Sequence, residues 1–436
     1  MRNQRALILV AAVTAVIFVS NILNFTVSTS RFNESYPAVV CPANGDGATS
    51  AISLASSKTQ IRKGGTSSLT YKSAGSARPQ GASQALIVDA PSITPISWQA
   101  RSGVWAGAVT CLAPASSQWF VGASADITTK GRLIIVNSGL SDAVVDVNVF
   151  TENGKQPLRT LNVPSKNYLV IPVDSLAPGD KTLTVNVVPR SGRINSFMID
   201  EQGKGLRALG GDLLNPTTSP SKTVVIPAIP NQGKKAGQGA APAHVLRVLT
   251  PGDVDASVTV ELLSADGVFI PVGLNSRSVS AGLVTEFTFS PKISSSAFAV
   301  KITSTEPVVA AVESSVAIGG GKDFTWSTAA PELSEFTMAV TGLTPLVVFA
   351  GSEINVAVEV TLVNGKSIRK AIKGTDVATW RVPAAARSFT ITKVGKQTYA
   401  GALVSSVNGY GYFPIAPGSV LTRVEIPDSN IRILNP

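Results

Sequence analysis

Along most of the chain, hydrophobic and polar positions alternate with a period of two. "VDVNVFTENGK" begins at Val145, "VTVELLSADG" at Val258 and "VAVEVTLVNGK" at Val356. In the first, Val145, Val147 and Val149 share one face, and Asp146 and Asn148 share the other. Such alternation marks a half-buried antiparallel strand. Each run ends in Asn-Gly or Asp-Gly, the pairs that tolerate the positive φ angles of tight hairpins. The glycines Gly154, Gly267 and Gly365 mark three copies of one hairpin. Their spacing suits sandwich domains and is too long for a solenoid turn or a propeller blade.

The flanking segments recur in the same order. "RLIIVNSG" precedes the first hairpin, and "LRTLNVP", "YLVIPV", "LTVNVVP" and "INSFMIDE" follow it. The second copy begins near His244 and the third near Leu346. A worn fourth copy is expected at the N-terminal side, where "VWAGAVTC" at Val104 matches "TYAGALVS" at Thr398. "NQGKKAGQGAAPA", Asn231 to Ala243, reads as linker or exposed loop.

The first residues break this pattern. Arg2 and Arg5 precede an apolar run, and Leu7 to Val27 is long enough to cross a bilayer. Positive charges ahead of the run keep the N-terminus cytoplasmic. No small-residue cleavage site follows it, which favours a retained signal anchor over a cleaved signal peptide. Cys41 and Cys111 are the only cysteines. In an oxidising exterior they are expected to pair. The expected fold is mainly β: an N-terminal membrane helix followed by tandem antiparallel β-sandwich (Ig-like) repeats. The boundaries fall at 1–30 for stub and anchor, 31–118 for an N-terminal unit, then 119–221, 222–335 and 336–436 for the repeats.

Hydrophobic residues make up 44% of the chain and charged residues 15%, which excludes a disordered protein. The net charge of +10 favours an anionic partner, although the basic residues are scattered. His244 is the only histidine, which excludes metal sites needing two, and it is expected to be an exposed strand-start residue. "SPSK", Ser219 to Lys222, has nucleophile spacing but runs into a strand rather than a helix. "NGKS", Asn364 to Ser367, lacks the upstream glycine of a phosphate loop. Asp200 and Glu201 are adjacent on a strand and so point to opposite faces. Asp142 and Asp146, and Asp253 and Asp255, are too sparse for a calcium loop. Of the tryptophans, Trp98, Trp105, Trp119, Trp326 and Trp380, core packing is the favoured role. Tyr410 and Tyr412, flanked by glycines in "VNGYGYFP", form the expected contact loop, together with Lys234 and Lys235.

"VVCPANG", "VTCLAPASSQWFVGAS" and the "VNVFTENGK" unit resemble an uncharacterised actinobacterial family of exported, membrane-anchored proteins. That family has a domain of unknown function and is often encoded near envelope glycosyltransferases. The resemblance implies an extracytoplasmic location and supplies no catalytic residues. The expectation is a non-enzymatic, single-pass envelope protein without a cofactor. It would serve as scaffold or binding module for anionic cell-wall polymer or envelope proteins, not nucleic acid. The alternative is an exported glycan-active hydrolase or transferase whose carboxylates the sequence does not reveal.

Overall fold

A computed structural model describes residues 11–16, 31–66, 68–205, 207–231, 243–318, 321–407 and 409–426. It divides into two compact units. In the smaller, Arg31–Ser35 pairs antiparallel with Thr422–Ile426, and the Thr422 hydroxyl donates to Ser35 O at 2.9 Å. The larger spans residues 37–420. Most of the expected membrane helix lies outside the described residues. Residues 11–16 are helical, and among the described residues no helix is long and apolar enough to cross a membrane.

The larger unit is built almost wholly of antiparallel sheets, and one pairing order recurs along it. In the stretch after Gln118, one sheet runs Gln118–Val121, Leu183–Pro189, Ala143–Thr151, Arg159–Val163. The sheet facing it runs Tyr168–Pro172, Arg132–Asn137, Ile194–Lys204, Arg207–Leu214. The next stretch repeats this with Ser221–Pro230, the first half of Ala297–Ile318, Ala256–Ser264 and Arg277–Val279. Opposite lie Thr285–Phe289, His244–Leu249, the second half of Ala297–Ile318 and Gly321–Thr328. The final stretch uses Leu346–Leu362 and Ser367–Arg381 the same way, each bending to serve both layers.

The N-terminal stretch follows the same order in shorter form. Val39–Cys41, Leu86–Asp89, Gln60–Lys63 and Lys72–Ser73 make one sheet, and Thr49–Ser53, Ile96–Arg101 and Trp105–Thr110 the other. We call these four stretches modules one to four. Their equivalence corrects one sequence match. Trp105–Thr110 corresponds by pairing to Gly409–Pro414, the closing strand of its module, whereas Tyr399–Ser406 corresponds to Ile96–Arg101.

The hairpin reading is visible in the backbone. Gly154, Gly267 and Gly365 have φ of 120°, 110° and 81°, values that disfavour any residue with a Cβ. Two of the turns share local hydrogen bonds: Thr151 Oγ1 and Ser264 Oγ each donate to the carbonyl three residues on. Burial alternates along Ala143–Thr151 and Ala256–Ser264. Asp142 and Asp255 also have matching roles. Each accepts an amide, from Ser165 and Ala281 respectively, both at 2.8 Å, and so ties the start of its own strand to the turn that follows Arg159–Val163 or Arg277–Val279.

The modules are not independent beads. The core of module four contains Ile96, Trp98, Ala106 and Ala108 from module one alongside Val347, Phe349 and Phe413. A second cluster joins Val40, Ile87 and Trp105 to Ile134, Phe197 and Leu213 of module two. Module two's core takes in Val309, Ala311, Phe324 and Trp326 of module three. Ile93–Thr94 even adds as a parallel strand beside Phe336–Ala339. Modules one and four thus close against each other.

Close approach at the centre explains why the closing strands are rich in glycine. A Cβ on Gly409 would lie 2.3 Å from both Cβ and N of Ala106, and one on Gly107 would lie 2.5 Å from Leu213 N. These neighbours are backbone or attached directly to it and cannot swing aside. Gly409→Val is expected to lower stability by about 1–3 kcal/mol or more, as overpacking does. Urea unfolding would measure it, and an unchanged midpoint would refute this packing.

Candidate functional site: a buried acidic junction and an open groove

The closing strands Trp105–Thr110, Arg207–Leu214, Gly321–Thr328 and Gly409–Pro414 meet at a junction of buried polar groups. Asn215 donates to Ala108 O at 2.9 Å and Tyr412 O at 2.8 Å, and accepts the Thr110 amide at 3.1 Å. Tyr412 Oη donates to Thr328 O at 2.7 Å. Asp212 Oδ2 accepts the Thr325 hydroxyl at 2.8 Å and the Trp326 amide at 2.7 Å. Asp200 Oδ2 accepts the Trp326 indole N–H at 2.9 Å. Asp323 Oδ1 accepts the Gly211 amide at 2.9 Å. Around them, Arg247 lies 4.8 Å from the Trp326 ring centroid and is paired with Glu286 at 2.7 Å.

Burial dominates the electrostatics here. Asp200 and Asp212 are fully buried, and exclusion from water raises both pKa values, that of Asp212 strongly. Desolvation also carries Asp323 up to about 7, against the pull of amides from Gly211, Phe324, Ala106 and Tyr410. Those four amides come from all four modules, with Gly211 closing a hydrogen bond of good geometry. Among the described residues Asp200 Oδ1 and Asp323 Oδ2 make no hydrogen bond. Glu313 is likewise raised to about 7, by burial and then by Asp200.

This fixes a pH dependence. The folded chain holds these protons more tightly than the unfolded chain, whose carboxyls titrate at about 4. The stabilisation is therefore complete below about 4 and is lost as pH rises towards about 7. Asp146, lowered by the Thr160 hydroxyl and Arg190, acts in the opposite sense at lower pH, as does Asp266, lowered by the Ser294 amide and hydroxyl. Buried His244, lowered to about 4, also opposes the trend below about 6.5, as one group against the several raised carboxyls. Thermal melts should show Tm falling between pH 5 and 7.5. Asp323→Asn should flatten that slope, and an equally steep slope in the variant would refute the assignment.

The other sequence candidates fall in several places. Cys41 and Cys111 form a disulfide. Glu201 turns away from Asp200 and contacts Arg101 and the Trp105 indole. Tyr410 and Tyr412 do not form an exposed contact loop: they lie in Gly409–Pro414, Tyr412 is fully buried, and Tyr410 is half-buried. Their flanking glycines serve strand-to-strand approach rather than loop freedom. His244 is also buried, not exposed. Its Nδ1 is 2.8 Å from Ser314 Oγ, its ring packs on Phe289 and Phe298, and burial lowers its pKa to about 4. Lys234 and Lys235 lie outside the described residues. Trp98, Trp105 and Trp326 are buried, while Trp119 and Trp380 are half-buried.

Among the described residues, two of the larger grooves lie between modules. One, of about 510 Å³, lies between modules three and four. Its floor is the outward face of the sheet carrying Thr223, Val225, Glu261, Leu263, Lys301 and Thr303. Its wall is the corner where Leu346–Leu362 bends, at Ala350, Gly351 and Ser352, with Asp376, Gln397 and Tyr399 beside it. The second, about 480 Å³, lies between modules one and two and contains the Asp46–Arg132 ion pair and Tyr168. No sequence motif marked either, because their residues are scattered strand and loop positions brought together across modules.

A family model covers residues 72–379 and describes a family of unknown function, DUF5719. The chain belongs to the DUF5719 family. The matched region holds most of the junction, although Gly409–Pro414 lies beyond it. No curated protein matches this DUF5719 chain. Among solved structures, "Thermotoga maritima 1070" is 14% identical, over 23% of this chain and 93% of that chain, with a TM-score of 0.21. The infectious bursal disease virus VP2 subviral particle is 12% identical, over 92% and 80%, with a TM-score of 0.12. A tetra-tandem repeat from the extending region of a large adhesion protein is 11% identical, over 89% and 94%, with a TM-score of 0.10. At such scores these likenesses bear on neither the fold nor the function of the DUF5719 chain.

Proposed function

We propose that this protein is a non-catalytic, membrane-anchored envelope protein whose exterior modules, Ig-like in type, form a rigid scaffold or binding module. Its partner would be cell-wall glycopolymer or envelope-assembly proteins, in the actinobacterial envelope setting that the sequence resemblance implies. The observation that carries the reading is where the perturbed acids lie. Asp200, Asp212 and Asp323 are enclosed between closing strands and bonded to tryptophan, threonine and backbone groups. Neither groove is lined by any of them. Catalytic carboxylates must reach a substrate, whereas these hold modules together. The Cys41–Cys111 disulfide favours an oxidising, extracytoplasmic setting.

The test is to incubate the purified full-length chain, in mild detergent, with isolated wall glycopolymer at low and high salt. Cross-linked envelopes are captured in parallel. Recovery with polymer or with defined envelope proteins is the expected result. Loss of polymer binding at high salt would assign it to the +10 charge, because exposed charges are screened beyond about 8 Å at physiological ionic strength. Turnover of a glycan substrate would overturn the reading in favour of the hydrolase or transferase.

A further inference from the structure

We infer that the groove between modules three and four is a binding site for an uncharged oligosaccharide. The inference rests on the proposed binding role and gives it a location and a ligand chemistry.

The groove has two zones. Its bottom is apolar, formed by Val225, Leu263, Ala350 and Tyr399, which belong to one hydrophobic cluster with Ala299 and Val377 behind them. Its rim is polar. Thr223, Thr303, Ser352 and Gln397 are exposed there, and among the described residues their side chains make no hydrogen bond. A volume of about 510 Å³ falls within the range of small-ligand sites, which combine an apolar lining with a few convergent polar groups. A sugar ring matches both zones: its C–H face can lie on Leu263 and the Tyr399 ring, and its hydroxyls can reach the rim.

Charge and backbone narrow the class. Lys301 is paired with Glu261 at 3.0 Å, which leaves Asp376 as the uncompensated charge among the lining residues. An anionic ligand would therefore meet no free cation there. Nor is the site suited to an extended peptide, which gains affinity by pairing its main chain with a free strand edge. Within the floor Thr223 pairs with Thr303 and Glu261 with Lys301, and on the outer edge of Ser221–Pro230 the Val225 carbonyl is already taken by the Ala330 amide at 3.0 Å. On the wall Ala350 pairs with both Val377 and Tyr399, and Gly351 pairs with Asp376. What remains available is side-chain hydroxyl and amide, the usual partners of a polyol.

The wall is also preformed. Asp376 and Gln397 have φ of 63° and 49°, in the left-handed region. Gly351 sits so close to Gln397 O that a Cβ would lie 2.9 Å from it. The corner is held by backbone geometry, so a ligand need not order it on binding.

The experiment is calorimetric titration of the full-length chain with neutral hexasaccharides (β-glucan, mannan, galactan and arabinan), with a Gly-Ser hexapeptide as the peptide arm. At least one hexasaccharide is expected to bind, and Thr303→Ala/Gln397→Ala should weaken it at least tenfold. These residues are exposed, so the double variant should fold, which an unchanged thermal melt would verify. Tyr168→Ala in the other groove should leave the affinity unchanged. Binding of no hexasaccharide, equal binding by the double variant, or binding of the peptide alone would overturn the inference. If the double variant fails with hexasaccharides but the wild type fails to recover envelope material, the broader envelope reading falls and the sugar site stands. If envelope capture succeeds and hexasaccharides do not bind, the reverse holds.

Discussion

Trp326→Ala should be the most damaging single substitution in the chain, with a loss of about 3–5 kcal/mol, the usual range for truncating a fully buried tryptophan. Three effects add. The ring is completely buried in the core shared by modules two and three, so its removal leaves a cavity that backbone pairing on either side prevents from collapsing. The indole N–H is a donor to Asp200, whose other oxygen already lacks a partner. The ring also faces the Arg247 guanidinium, a buried cation that loses its aromatic neighbour. Urea unfolding followed by far-ultraviolet dichroism would measure the loss. Trp326→Phe should recover the packing but not the hydrogen bond, and should fall between. A loss under 1 kcal/mol for the alanine variant would show that the junction is not a core.

Cys41→Ser with Cys111→Ser should produce a comparable effect. The bridge spans 70 residues. In the chain-entropy description a loop of that length corresponds to roughly 4 kcal/mol of destabilisation of the unfolded chain. Both cysteines are fully buried in a small cluster with Val39, Ile52, Leu54, Leu86 and Val88. Module one has the shortest strands, of two to six residues, so it has the least sheet of its own to resist the change. The double variant, or the wild type under reductant, should melt at a markedly lower temperature than the oxidised protein. Equal melting would show that the shared cores alone hold module one in place.

What could be read in the sequence was local. Val145, Val147 and Val149 announce a strand without reference to anything distant, and Asn153-Gly154 announces its turn. The cysteine pair followed from count and from the expected compartment. The junction was not legible because its partners are far apart in the chain: Asn215 and Tyr412 are separated by 197 residues, and Asp200 and Trp326 by 126. One signal was available. "WAGAV", "LGGDLL" and "GYGYF" place glycine inside strand patterns, which marks close backbone approach. Taken instead as loop glycines, those beside Tyr410 and Tyr412 led to an exposed loop where the structure has a buried strand. His244 was misplaced for a related reason: a polar residue after a linker suggests solvent, and nothing nearby shows that Phe289 and Phe298 will enclose it. The groove combines both difficulties, since its floor and wall come from different modules.

The contact between the first and last modules bears on how the chain reaches this state. Thr94 Oγ1 accepts the Gly418 amide across 324 residues, and Arg78 reaches Thr341 O across 263. Until the last strands exist, Trp98, Ala106 and Ala108 lack the side chains they pack against. Chains dominated by such distant pairings fold slowly, because the entropy of closing the loop is lost before any contact offsets it. Module one must therefore wait, with part of its apolar surface uncovered, for Phe349 and Phe413 to arrive. Its disulfide can form during that interval, since Cys41 and Cys111 both lie within the early segment. The bridge can thus hold the opening module in register, and completion of the core it shares with module four depends on the final strands.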